Sequence, residues 1–193
     1  LGGELTDELW ATHAVGVSLG DPYWEAIASA LGLDVDEAAF DAAREAITHL
    51  PSSRDSAPIV PGAADLVDTL HAAGTPLAVA SGSDREWLEH HLARFGLVDR
   101  FARLVGRDHP EVTAGKPAPD LYRVAMAELD VDPATVVAVE DTSLGIASAR
   151  AAGVGAVVAV PSRLTVHHDL TTADVVLDAL TDLTADRLAR LLS

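Results

Sequence analysis

At 193 residues the chain is long enough for one sizeable core and a smaller module. Thirty acidic against thirteen basic residues give a formal net charge of −17, which excludes nucleic acid and anionic membrane surfaces as natural partners. The absence of cysteine excludes disulfides and thiolate metal sites and fits a cytoplasmic location, and no signal peptide or long apolar span interrupts the chain.

The first fifty residues read as helices only. Asp21-Pro22 opens one, with the aspartate as cap and proline in the first turn, running through Trp24, Ile27 and Ala28 to Leu31. A second covers Glu37–Leu50, with Phe40, Ala43 and Ile47 on one face. Residues 51–62, rich in Pro and Ser, form a hinge. Strands and helices then alternate. Ala63, Leu66, Val67 and Leu70 mark a helix, and Leu77–Ala80 a strand. Ser83-Asp84-Arg85-Glu86 fits a capping box for the next helix, which carries Trp87, Leu88, Leu92 and Phe95 and stops at Gly96. Further strands fall at Leu104-Val105, Val136–Val139, Ala156–Val160 and Val175–Leu177, and a helix starts near Pro119. The alternation predicts an α/β fold with a doubly wound parallel sheet.

Three places concentrate chemistry. The Val136–Val139 run reads as a strand buried on both faces and ends in two adjacent carboxylates, Glu140 and Asp141, at the strand end where open α/β sheets bind ligands. Like charges side by side repel, and a hard cation such as Mg²⁺ relieves this through oxygen ligands. Read blandly, they are two solvated surface acids. Lys116, the only lysine, lies in Gly115-Lys116-Pro117-Ala118-Pro119-Asp120; it is a compact point charge suited to a phosphoryl oxygen, or else an ordinary surface lysine. The strand to Ala80 ends in Ser81-Gly82, where a hydroxyl and turn amides form a small anion cradle, or merely precede a capped helix.

In this order, the Ser81 strand end, the Lys116 segment and the run from Val136 to Gly153 resemble motifs II, III and IV of the haloacid dehalogenase superfamily. The similarity is strongest to its phosphatase and β-phosphoglucomutase-like branch and extends over most of Pro61–Ser193. The resemblance implies a Rossmann-like core over residues 63–193 and a small helical cap over residues 1–50, joined by the 51–62 hinge. It also implies Mg²⁺ held by Asp141 assisted by Glu140, a phosphoryl group bound by Ser81, the Gly82 amide and Lys116, and turnover through an aspartyl-phosphate. Thr142 and Ser143 are expected to cap the following helix, and Asp120 to support its local turn.

Members of the superfamily carry an Asp-x-Asp-x-Thr nucleophile motif on a first strand, between the strands that end here at Ser81 and Glu140. No such motif occurs in the 193 residues. Asp34-Val35-Asp36 leads into a helix, where Asp36 reads as a cap, and Val175-Val176-Leu177-Asp178 lacks the second aspartate. The expectation is that the nucleophile lies in a segment outside these residues. In the cap, Gly16-Val17-Ser18-Leu19-Gly20-Asp21 resembles the family's substrate loop, making Ser18 a candidate substrate contact; His13, with His49, Arg44 and Arg54, is a further candidate or else an ordinary solvated surface residue. Leu19 stands where β-phosphoglucomutases place a phosphate-gripping arginine, which favours a phosphatase of a small phosphorylated metabolite over a mutase. The alternative outside the enzymes is a non-catalytic protein of this fold that binds a phosphorylated ligand or a partner.

Overall fold

The structure, a computed structural model, describes residues 58–163 and 165–192. The expected cap, its candidates Ser18 and His13, and most of the hinge lie outside these residues. From Ala63 onward the helix and strand periods alternate as the sequence predicts. The elements are α1 (Ala63–Ala72), β1 (Ala78–Ala80), α2 (Arg85–Arg94), β2 (Arg103–Val105), α3 (Asp120–Leu129), β3 (Val137–Glu140), α4 (Ser143–Ala152), β4 (Ala156–Ala159), β5 (Val175–Val176) and α5 (Ala185–Arg190).

Among the described residues every strand pairing is parallel, as crossover helices require. Among the described residues the sheet is in two pieces, β1 with β2 and β3-β4-β5. Helix α3 packs on β1, β2 and α4 and so spans both pieces. Its Tyr122 and Met126 join Ala138, Ile146, Ala149 and Val157 in one core, while Leu121, Val124 and Ala125 pack with Val105 in another. On the other face Val158, Leu177 and Leu183 receive Leu66 of α1 and Leu188 of α5. Strand β4 is buried throughout, as expected for a central parallel strand.

Four sequence expectations shift. Val136 belongs to the turn before β3, and Glu140 is itself the last strand residue. β3 is not buried on both faces, because Val139 is 43% exposed where the two sheet pieces face each other. The capping box at Ser83–Glu86 does not form: Asp84 is the N-cap and makes no side-chain cap bond. Asp108 Oδ1 instead accepts the Arg85 N–H at 2.9 Å, and Arg107 clamps Asp84 at 2.6 Å. A cap from another loop replaces the local one because Gly106 lets the β2 end approach closely; a Cβ there would lie 2.7 Å from Arg85 N and from Ser83 O. Finally α5, capped by Thr184 accepting from Arg187 N at 3.2 Å, is a helix that the sequence reading passed over.

Candidate active site

The site assembles at the carboxyl ends of β1 and β3. Ser81 follows β1, its N–H bonded to Val105 O across the ladder and its Oγ accepting the Ser83 N–H at 3.1 Å. Gly82 continues this turn. Lys116 sits on the loop before α3, and Asp120 folds that loop. One Asp120 oxygen accepts Thr113 N at 2.8 Å, Thr113 Oγ1 at 2.7 Å and Ala114 N at 3.0 Å. These bonds, the Thr113 hydroxyl foremost, hold the Asp120 carboxyl below its ordinary value. Ser148 of α4 ties the same loop down by donating to Ala118 O at 2.6 Å. Asp120 therefore supports the turn, as expected.

β3 delivers Glu140 and Asp141, and Thr142 caps α4 by accepting the Gly145 N–H at 3.0 Å. Ser143 is the first helical residue, so of the two expected caps only Thr142 serves. Gly153, at φ 83°, ends α4 in the left-handed conformation that glycine adopts freely.

Ser81, Lys116, Glu140 and Asp141 all line one cleft of about 890 Å³. Gly82 is outside its lining. The cleft continues down between the facing edges of β1 and β3, walled by Ala78, Val79 and Ala80 on one side and Val137, Ala138 and Val139 on the other. Lys116 Nζ forms a buried ion pair with Glu140 Oε1, and the Tyr122 hydroxyl donates to the same oxygen. Burial, then the Glu140 charge, push the Tyr122 phenol well above its ordinary value, so it stays a donor.

Asp141 differs from its neighbour. Burial and the adjacent Glu140 charge push its carboxyl above the ordinary value, with Lys116 and His168 pulling against them. A divalent cation would relieve both causes, and an aspartate is the hard oxygen donor such a cation takes. Among the described residues no three His, Cys, Asp or Glu side chains cluster as a metal site.

Two contributors escaped the sequence reading. Tyr122 belongs to no motif singled out in the sequence, yet a buried tyrosine needs a partner for its hydroxyl, and that requirement is the available signal. His168, half-buried on the loop after β4, reaches the start of α4, where its Nδ1 accepts the Ser143 N–H at 3.4 Å. Nothing local in the sequence marks it.

The chain is similar to known proteins along most of its length. The validoxylamine A 7'-phosphate phosphatase of Streptomyces hygroscopicus subsp. limoneus is 34% identical over 160 residues, 81% of this chain and 70% of that protein. The bifunctional riboflavin kinase/FMN phosphatase of Arabidopsis thaliana is 37% identical over 129 residues, 66% of this chain but only 33% of the relative's length. The structure of CbbY from Rhodobacter sphaeroides in complex with xylulose-(1,5)bisphosphate aligns with a TM-score of 0.71 at 27% identity, covering 94% of this chain and 88% of that one. A family model described as haloacid dehalogenase-like hydrolase matches residues 4–153, and with it the chain belongs to that family.

Proposed function

We propose that the protein is a cytoplasmic, Mg²⁺-dependent phosphatase of a small phosphorylated metabolite, working through an aspartyl-phosphate. The observation that carries this reading is the convergence of Ser81, Lys116, Glu140 and Asp141 on one cleft that also separates β1 from β3. Neighbouring strands lie about 4.8 Å apart, and among the described residues β1 pairs only with β2 and β3 only with β4, which leaves their facing edges open to a strand between them. In this reading that strand lies outside the 193 residues and carries the nucleophilic aspartate. Residues 63–193 are the core, and residues 1–50 form a helical cap in which Ser18 and His13 meet substrate. The phosphatase names among the relatives point the same way.

The chain's own residues divide the work. Lys116 presents a fixed positive charge to the phosphoryl oxygens, held by Glu140 so that little reorganises during reaction. The Ser81 hydroxyl has a proton to donate to the same oxygens, since its lone pair already takes the Ser83 N–H. Asp141, with Glu140 beside it, faces the cation, which when bound neutralises phosphoryl charge. No helix among the described residues is long and apolar enough to cross a membrane.

The test is a panel of phosphorylated sugars, polyols and nucleotides offered to the full-length protein with and without Mg²⁺. Turnover of at least one ester that requires Mg²⁺ and disappears in Asp141→Asn is expected. Tight binding of an ester without phosphate release would replace the enzyme with a binding protein.

A further inference from the structure

Glu140 and Asp141 are adjacent carboxylates, but the structure treats them differently. Glu140 is confined on three sides. Its Oε1 takes both the Lys116 ammonium and the Tyr122 hydroxyl. Its Oε2 lies against the Gly145 backbone, so closely that a Cβ there would come within 1.9 Å. The residue is 9% exposed. Tyr122 also backs the cation of this pair, its ring centroid 5.4 Å from Lys116 Nζ. The buried phenol thus touches both members of the ion pair.

An ion pair on a flexible four-carbon stem would not by itself hold Glu140 against a divalent cation, whose pull on a carboxylate exceeds that of an ammonium. A second donor on the same oxygen changes the balance. If Glu140 leaves, the hydroxyl of Tyr122, a residue only 8% exposed, loses the hydrogen bond that satisfies it. We propose that Tyr122 is a positioning residue that keeps Glu140 as the anchor of Lys116 and out of the cation's coordination, so that Asp141 alone of the two carboxylates meets the cation. This rests on the phosphatase reading above and narrows it: Glu140 aims the phosphate-binding lysine, and Asp141 binds the metal.

The test uses full-length protein labelled with ¹³C at tyrosine Cζ, titrated with Mg²⁺ while calorimetry follows binding. Mg²⁺ should bind with the Tyr122 signal unmoved. A Tyr122 signal that shifts along the same saturation curve would mean Glu140 swings to the metal, and would overturn this assignment alone. A flat calorimetric titration would overturn the Mg²⁺-dependent reading together with it. Tyr122→Phe supplies a second measurement. Its affinity for inorganic phosphate should fall roughly tenfold, the weight of one hydrogen bond to a charged group, with Mg²⁺ affinity unchanged or raised. Equal loss of both affinities would mark a merely structural tyrosine, and no change in either would also overturn the assignment.

Discussion

Gly145→Ala separates two effects of opposite sign. Gly145 is the third residue of α4, and an ordinary helical glycine replaced by alanine gains about 1 kcal/mol from propensity. Here the new methyl would sit 1.9 Å from Glu140 Oε2 and 2.2 Å from its Cδ. A carboxylate at the end of a free side chain would move aside at little cost. Glu140 is not free, being held by Lys116 and Tyr122. Overpacking of this kind costs about 1–3 kcal/mol, and releasing the buried ion pair would cost about 3–5 kcal/mol. The cheaper relaxation wins in part, so after the propensity gain a net loss of about 2 kcal/mol is expected. For a chain of this size that lowers the melting midpoint by about 4–8 °C. Urea unfolding of the variant beside Ala147→Gly, an exposed site on the same helix expected to lose about 1 kcal/mol, isolates the contact from propensity. A Gly145→Ala protein more stable than wild type would refute the reasoning, because it would mean Glu140 yields freely.

Thr142→Ala removes the cap of α4 and strands the buried Gly145 N–H, and should cost about 1 kcal/mol in urea unfolding, with Thr142→Ser restoring most of it. Leu121, fully buried between α3 and β2, should cost about 2–5 kcal/mol on truncation to alanine, read as a lower urea midpoint at unchanged slope. Asp174 is held below its ordinary pKa, first by Arg150 and then by the Val157 N–H. A depressed carboxyl contributes stability above its unfolded pKa of about 3.9 and loses it as pH falls through the folded value. Asp174→Asn should therefore be less stable than wild type at pH 7, the gap narrowing as pH falls below the unfolded pKa of about 3.9, and a gap independent of pH would contradict the linkage.

The alternation of helix and strand was legible because it depends on neighbours within one turn or one pleat. Ala63–Ala72, the strand to Ala80 and the helix closed by Gly153 all announce themselves through periodicity and local caps. Lys116 and the Glu140-Asp141 pair, which line one cleft, could be singled out for a related reason: each lies in a short local motif at the end of a strand or in the loop before a helix. The exceptions are equally instructive. The box at Ser83–Glu86 satisfied every local rule, yet the Arg85 amide found Asp108, 23 residues away, because Gly106 brings that loop against it.

The sequence by itself determined which segments become strands, that they run parallel, and that two carboxylates, a lysine and a serine terminate them or their loops. Only the tertiary structure decided which atoms meet. Lys116 and Tyr122 reach one oxygen of Glu140 from 24 and 18 residues away. That meeting depends on α3 packing across both pieces of the sheet. Local propensity acts over a few bonds of chain, whereas a shared hydrogen-bond acceptor is fixed by how crossover helices seat on strands. Lys116 was therefore identifiable from its motif, and the tyrosine that steadies it was not.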